Sequence, residues 1–193
     1  MDRVERAANA ISAGELVVYP TETVYGLGAN ALDPDAVARV FDVKRRPREK
    51  PLSIAVPDVE TALTFVEPTE RELAFMRRFL PGPVTVIVER RPIVPSIVTG
   101  GRSRVGIRIP DHYLALALLE ATAPITATSA NVSGGPDVRT VTELDSHVRK
   151  AAAVVLDGGE TDGTASTVVD VDSGTIHRRG ANADEIETWI ADR

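Results

Sequence analysis

The segment that decides the fold is LVVYPTETVYGLGANALDPDAVARVFDVKRRPREKPLSIAV, residues 16–56. It opens with the apolar, β-rich run LVVY, which Pro20 ends, and this pattern is typical of a buried strand. Asp33 and Pro34 then supply the N-cap and the first-turn proline of a helix whose apolar residues recur at helical spacing. A second apolar run, LSIAV, closes the segment. These residues predict strand, loop, helix, loop and strand in succession.

The rest of the chain continues this alternation of helices and strands. Further helices are predicted at 2–13, 70–79, about 112–121, near 142–150 and at the C-terminal end. Further strands are predicted at 84–89, 104–109, 125–128, 154–157, 166–171 and 175–178. Such alternation predicts an α/β fold, with a twisted sheet flanked by helices around a concave basic cleft. The hairpin-like pair over 166–178 predicts that the sheet is mixed, and the length of 193 residues fits one domain, 1–193.

A cluster of positive charge lies between the predicted helix and the second apolar run. Only three lysines occur in the chain, and Lys44 and Lys50 share one short run with Arg45, Arg46 and Arg48. Arginine can fork onto two phosphate oxygens, whereas lysine acts as a compact point charge. The run therefore indicates an anion pocket, most simply one for a nucleoside triphosphate. A solvated basic loop and an RNA-contacting patch are the two other interpretations.

Composition limits the classes of protein that fit. The chain has no cysteine, which excludes disulfides, thiolate zinc sites and thiol nucleophiles, and which suits a reducing cytoplasm. The first fifteen residues carry both signs of charge, unlike a secretory signal, and no apolar run reaches membrane-spanning length. The net charge of −6 argues against nonspecific binding of nucleic acid over the whole surface. We expect a cytoplasmic protein without a membrane partner.

Two further loops follow predicted strand ends, where open α/β sheets commonly bind ligands. One carries Thr21, Thr23 and Tyr25, with two glycines that either let a ligand approach the backbone or satisfy unusual dihedral angles. The other, TSANVSGG at 128–135, offers several neutral hydrogen-bonding groups that could cap a helix or hold a nucleotide. Ser129 lacks the Gly-x-Ser-x-Gly surroundings of a serine nucleophile.

Arg108 and His112 lie in the run RIPDH, at another predicted strand end. A buried arginine is costly without a partner, so Arg108 must meet a carboxylate of the protein or one of a ligand. His112 is interpreted as a helix cap and not as a catalytic base. No histidines stand at metal-ligand spacing, and neither a Walker sequence nor Gly-x-Gly-x-x-Gly occurs. A nucleotide pocket here would be unconventional.

Taken together and in order, seven motifs resemble those of the YrdC family of threonylcarbamoyl-AMP synthases. The motifs are YPTETVYGLG, KRRPREKPL, PGPVT at 81–85, RIPDH at 108–112, TSANVSG, STVVD at 166–170 and RRGA at 178–181. The resemblance covers nearly the whole chain. Lys44-x-Arg46 together with Ser129-x-Asn131 separates this sequence from YrdC-like relatives that lack both pairs.

The resemblance implies an enzyme that joins L-threonine, bicarbonate or CO₂, and ATP into threonylcarbamoyl-adenylate, with release of pyrophosphate. It implies a downstream threonylcarbamoyl transferase complex, which modifies tRNA, and it raises the question of a contact with tRNA itself. Mg²⁺ is expected as the cofactor, bound mainly through the ATP phosphates, with no dedicated protein metal site.

Position by position, the resemblance also implies the site residues, with Lys44 and Arg46 as the catalytic pair. The implied ATP contacts are Lys44, Arg46, Lys50, Ser129, Asn131 and Arg178. The implied threonine contacts are Thr23, Arg108, Ala127 and Ser166, with Arg108 facing the carboxylate of the amino acid.

Two departures from the family pattern accompany this resemblance. Many members carry a histidine near the threonine where this chain has Ala55, so one substrate contact is absent or replaced. The chain also ends soon after the synthase motifs, without the additional C-terminal domain of longer relatives. Two rival functions stay open: a non-catalytic RNA-binding module, disfavoured by the 4% aromatic content, and a carbamoyl-adenylate-forming domain.

Overall fold

The computed structural model of the chain describes residues 2–122 and 124–192, so the two end positions of the predicted domain, 1 and 193, lie outside it. Within these residues the α-helices are α1 (Arg3–Ser12), α2 (Pro34–Lys44), α3 (Val59–Ala62), α4 (Glu70–Phe79), α5 (Ser96–Thr99), α6 (Tyr113–Thr122), α7 (Ser146–Ala151) and α8 (Ala183–Ala191). The strands are β1 (Leu16–Tyr19), β2 (Gly26–Gly28), β3 (Ser53–Ala55), β4 (Val84–Glu89), β5 (Arg104–Arg108), β6 (Ile125–Ala127), β7 (Ala152–Val155), β8 (Thr167–Asp170) and β9 (Thr175–Arg178). The α/β class is confirmed.

A six-stranded sheet forms the larger of the two sheets in the described residues. Its order is β6-β3-β5-β4-β8-β9, with β3 parallel to β5, β4 parallel to β8, and the other neighbours antiparallel. The predicted mixed character and the predicted hairpin of β8 and β9 are both confirmed. The predicted ligand loops at strand ends follow β1, β5 and β6. Strands β5 and β6 belong to this sheet, whereas β1 does not.

A smaller sheet has the order β2-β1-β7, with β1 in its centre and all four of its side chains buried. The two sheets meet where β2 runs beside β6. The amide of Leu27 donates to the carbonyl of Thr128 over 2.8 Å, and the amide of Thr126 donates to that of Ala29 over 2.9 Å. The sequence predicted a single sheet because it did not predict β2. Two of the three residues of β2 are glycine, which does not favour strands.

Helix α2 delivers the basic run to its place. The side chain of Asp33 accepts from the amide of Asp35 at the N-terminus, as predicted for an N-cap, and Pro34 opens the helix. The helix ends at Lys44, because Arg45 takes a left-handed conformation with φ of 49°. The amide of Arg46 then donates to the carbonyl of Phe41, which turns the chain back toward the sheets.

Some element bounds differ from the prediction. The four-residue helices α3 and α5 were not predicted, since a single turn is too short to show helical spacing. Strand β7 begins two residues before the predicted 154–157, directly after α7. No helix within 2–122 and 124–192 is long and apolar enough to span a membrane.

Candidate active site

One cavity of about 630 Å³ opens over the six-stranded sheet. Side chains from β4, β5 and β8 form its floor, and its walls come from the loops after β1 and α2, from the end of β6 and from β9. Eight of the ten residues that the sequence implicated line this cavity: Thr23, Arg46, Lys50, Arg108, Ala127, Ser129, Ser166 and Arg178. Lys44 and Asn131 are not part of its lining and lie behind Ser129.

The loop after α2 holds Arg46 against its own backbone. The Nε of Arg46 donates to the carbonyl of Lys50 over 3.0 Å, and Nη2 donates to that of Pro51 over 2.9 Å. Burial lowers the pKa of Arg46, and the positive charge of Arg178 lowers it further. Two guanidinium groups from distant parts of the chain therefore face the same space, which favours an anion of high charge.

Arg178 is held by Ser166, the residue directly before β8. Its Nε donates to the carbonyl of Ser166 and its Nη2 donates to the hydroxyl of Ser166, each over 2.9 Å. Burial lowers the pKa of Arg178, Asp137 acts in the opposite direction, and Arg108 lowers it again. This clamp brings a residue predicted to contact ATP into direct contact with one predicted to contact threonine.

Arg108 lies at the end of β5 and is only 6% exposed. Its Nη2 forms an ion pair of 2.8 Å with Oε1 of Glu22, and its Nη1 donates to the carbonyl of Val84 over 3.3 Å. Burial lowers the pKa of Arg108, and the charge of Glu22 opposes that shift. The sequence left two partners open for Arg108, a carboxylate of the protein and a carboxylate of a ligand. The structure shows a carboxylate of the protein, that of Glu22.

The loop after β1 is a tight hydroxyl turn. The Oγ1 of Thr21 lies 2.9 Å from that of Thr23 and donates to the carbonyl of Val24 over 2.6 Å. Gly26 in the following strand does not have a positive φ. A Cβ at Gly26 would lie 2.8 Å from the Cζ of Tyr19. Glycine is therefore needed here to leave space for the buried tyrosine ring, and not to give the backbone unusual dihedral angles.

Loop 128–135 is organised around a buried ammonium group. The Nζ of Lys44 donates to the carbonyls of Ser129 and Asn131 and to Oδ1 of Asn131, over 2.5, 2.7 and 3.1 Å. The Oγ of Ser129 donates to the same Oδ1 over 2.6 Å, and Nδ2 of Asn131 donates to the carbonyl of Gly135 over 2.7 Å. Burial lowers the pKa of Lys44 to about 8.

Other sequence interpretations have a clear place in the structure. The Nδ1 of His112 accepts from the amide of Leu114 over 3.2 Å at the start of α6, which confirms the predicted helix cap. Ala55 is fully buried beside Arg108 in the register of β3 and β5 and does not line the cavity. Across the described residues, no group of three or more histidines and carboxylates has an arrangement that could hold a metal ion.

Residues outside the sequence-predicted set also belong to the site. Tyr19, Thr85 and Asp137 line it, and Glu22 pairs with Arg108 from just outside it. Glu22 stands inside the YPTETVYGLG motif, but it lies far from Arg108 in the sequence, so no local pattern indicated that the two residues pair. Asp137 follows a glycine-rich turn and likewise offered no local signal.

The fold and the cavity together describe a mixed α/β protein with a cleft of about 630 Å³ that has several arginines in its lining. A family model named Sua5_yciO_yrdC, described as telomere recombination, matches residues 9–180. The chain belongs to this Sua5/YciO/YrdC family.

Similar proteins carry the same family name or a synthase name. The threonylcarbamoyl-AMP synthase of Pyrococcus abyssi is 42% identical over 173 residues, which cover 88% of this chain and 51% of that protein. The threonylcarbamoyl-AMP synthase of Vibrio parahaemolyticus is 34% identical over 186 residues, covering 93% of this chain and 100% of that protein. The crystal structure of P. abyssi Sua5 with L-threonine superposes with a TM-score of 0.89 at 39% identity, covering 98% of this chain and 57% of that one. The chain thus spans about half the length of the P. abyssi relative.

Proposed function

We propose that the chain is a threonylcarbamoyl-AMP synthase, which condenses L-threonine, bicarbonate or CO₂, and ATP and releases pyrophosphate. The observation that carries this proposal is the convergence of Arg46, Arg178 and Arg108 on one cavity. Three arginines around a single space match a ligand set with a polyphosphate and a carboxylate. The synthase names of the P. abyssi and V. parahaemolyticus relatives, and the L-threonine in the P. abyssi structure, support the same assignment.

Two groups of lining residues suit the two organic substrates. Arg108 and Thr23, whose Nη2 and Oγ1 lie 3.5 Å apart, offer a buried cation and a hydroxyl, which fit the carboxylate and hydroxyl of threonine. Arg46 and Lys50, which are joined by the bond from Nε to the carbonyl of Lys50, form a more basic group, which fits a triphosphate. Because Arg178 holds the hydroxyl of Ser166 directly, the reacting ends of both substrates would meet at this clamp.

The chemistry asks for positioning and charge neutralisation. The amine of threonine adds to CO₂ and loses a proton to water to give a carbamate, whose oxygen attacks the α-phosphorus of ATP while the bond to the leaving pyrophosphate breaks. Arginine side chains beside the phosphates stabilise the negative charge that develops on the leaving group. Holding the carbamate in line with the phosphorus removes the entropy cost of a bimolecular encounter. This route requires no covalent intermediate with the protein.

Mg²⁺ would arrive with ATP. Asp137 and Asp170 line the cavity and offer oxygen ligands, the donor type that Mg²⁺ prefers. Mg²⁺ bound to phosphates keeps several waters and takes few protein ligands, so the residues present fit the ion. Its contribution when bound is to neutralise phosphate charge, and Arg46 and Arg178 add to that effect from the protein.

The product has a defined onward use in this proposal. A threonylcarbamoyl transferase complex would pass the threonylcarbamoyl group to an adenosine of tRNA, with or without a contact between tRNA and this chain. We place the reaction in the cytoplasm, because ATP and the tRNA pool are there.

The test is pyrophosphate release with ATP, threonine and bicarbonate, each omitted in turn. We expect release to require all three, and Arg46→Ala to lower kcat/KM at least tenfold. Arg48→Ala is the matched control, because Arg48 belongs to the same run but pairs with Asp42 at the surface. Turnover with carbamoyl phosphate in place of threonine and bicarbonate would point to a carbamoyl-adenylate-forming domain. RNA binding without any turnover would point to a binding module.

A further inference from the structure

Lys44 occupies an unusual position for a residue in a basic run. Its side chain is 1% exposed, whereas Lys50 and Lys150 are exposed. It extends from the last turn of α2 into loop 128–135 and does not line the cavity. A buried lysine is costly unless its ammonium is fully hydrogen-bonded, so the partners of Nζ determine what this residue can do.

The ammonium group of Lys44 has all of its donors occupied. A lysine ammonium carries three N–H groups and no acceptor. The three acceptors within reach are the carbonyls of Ser129 and Asn131 and the Oδ1 of Asn131. No donor is left for a phosphate oxygen unless one of these bonds breaks.

Lys44 also binds the same loop through its main chain. Its carbonyl accepts from the amide of Ser133 over 2.8 Å. The residue thus holds loop 128–135 at three points along its length: Ser129, Asn131 and Ser133. Ser129 is the member of this set that reaches the cavity wall. The C-terminus of α2 therefore fixes the loop that presents Ser129, and the next residues present Arg46.

We infer that Lys44 is a positioning residue, which sets loop 128–135 in register with Arg46 and does not itself touch the nucleotide. This inference deepens the proposed function and rests on it for the identity of the ligand. It replaces the direct contact between Lys44 and ATP that the family resemblance implied. The ammonium aligns Ser129 and Asn131, and the loop then binds the ligand.

A double-mutant cycle tests this inference, with Lys44→Met, Asn131→Ala and their combination. ATP affinity is measured by titration calorimetry, and amide exchange of loop 128–135 is measured in the ligand-free protein. We expect Lys44→Met to speed exchange at the Ser133 amide at least tenfold and to weaken ATP binding at least tenfold. In the Asn131→Ala background the same change should weaken ATP binding by a smaller factor, because Oδ1 of Asn131, which accepts from both Lys44 and Ser129, is already absent.

Lys50→Ala is the control, because Lys50 is exposed and lines the cavity. It should weaken ATP binding without changing exchange of the loop, and its effect should add fully to that of Asn131→Ala. Unchanged exchange in Lys44→Met, together with a loss of ATP affinity that is fully additive with Asn131→Ala, would overturn the inference. Absence of ATP binding by the wild type would instead refute the proposed function, while the exchange measurement would still test whether Lys44 holds loop 128–135.

If Lys44→Met does not fold, amine labelling of the wild type tests the inference about Lys44 instead. The chain has three lysines, so mass spectrometry after treatment with a small amine-reactive reagent resolves each. We expect Lys50 and Lys150 to react, ATP to protect Lys50, and Lys44 to stay unmodified with and without ATP. Rapid labelling of Lys44 in the free protein would overturn the inference, whether or not ATP suppresses it.

Discussion

The guanidinium of Arg108 forms an ion pair with the carboxylate of Glu22, with 2.8 Å between Nη2 and Oε1. Both side chains are largely buried, at 7% and 17% exposure, and 85 other residues separate them in the chain. The second oxygen of Glu22, Oε2, is buried without a hydrogen-bond partner in the described part of the chain. Glu22 thus compensates the positive charge of Arg108, the residue that the proposed function assigns to binding the threonine carboxylate.

Glu22→Gln should therefore destabilise the protein and increase the stabilisation that threonine provides. Removing one charge of a buried pair leaves the other uncompensated, and we expect a loss of about 1–3 kcal/mol in the free energy of unfolding. Saturating threonine should raise the melting temperature more in Glu22→Gln than in the wild type, since its carboxylate replaces the lost charge. Glu60→Gln, which breaks an exposed pair with Arg77, is the control. Equal stability of wild type and Glu22→Gln would contradict this account.

Arg178→Lys should weaken ATP binding at least tenfold. The lysine keeps the charge but loses the paired contacts of Nε and Nη2 with Ser166, so the cation is no longer held in place. Titration calorimetry measures the affinity. Arg179→Lys is the neighbouring control, because Arg179 pairs with Asp184 at the surface and does not line the cavity. Similar affinities for the two variants would argue against a role of the clamp.

The stability of the protein should depend on pH through Lys44. Its folded pKa of about 8 lies below the ordinary value of 10.5, because burial and the charge of Arg46 disfavour the ammonium form, while Asp137 favours it. Between these two pH values the unfolded chain binds more protons, so stability rises with pH. The wild type should gain about 3 kcal/mol relative to Lys44→Met between pH 8 and 10.5. Denaturant unfolding of both proteins measures this difference, and a flat or falling difference would refute the prediction.

Gly180→Ala should damage the region where β8 and β9 meet. A Cβ at this position would lie 2.0 Å from the carbonyl oxygen of Ala165 and 2.7 Å from the carbonyl carbon of Ser166, so the backbone must shift. We expect a loss of about 1–3 kcal/mol in the free energy of unfolding, typical of overpacking. Gly101→Asn is the control for steric overlap: no atom lies within 4 Å of its Cβ position, so its cost is confined to the strain of a φ of 82°, which asparagine adopts more readily than most residues. Equal effects of the two changes would contradict the steric explanation.

Much of the fold could be predicted because local sequence patterns indicate several of the buried strands and helices. The runs at β1 and β4 are mainly apolar and rich in β-branched residues, and the helix caps at Asp33 and His112 follow local rules. Strand β2 could not be predicted, because Gly26 and Gly28 owe their places to the ring of Tyr19 and to the neighbouring strand β6. Strand β6 lies far from β2 in the sequence, so no local pattern reveals that the two strands are neighbours.

The site was predictable in composition but not in arrangement. The motifs identified Arg46, Arg108 and Arg178, and the structure brings all three to one cavity. Lys44 looked the same as its neighbours in the sequence, because nothing local indicates that three acceptors of another loop surround its ammonium. The partnership of Arg108 with Glu22 likewise depends on the folded chain.

A crystal structure with threonine and a non-hydrolysable ATP analogue tests the central claim most directly. The account predicts the triphosphate between Arg46 and Arg178, with the threonine carboxylate on Arg108 and both ligands in the one cavity. Phosphates bound elsewhere on the surface, with Arg46 and Arg178 making no contact to them, would contradict it.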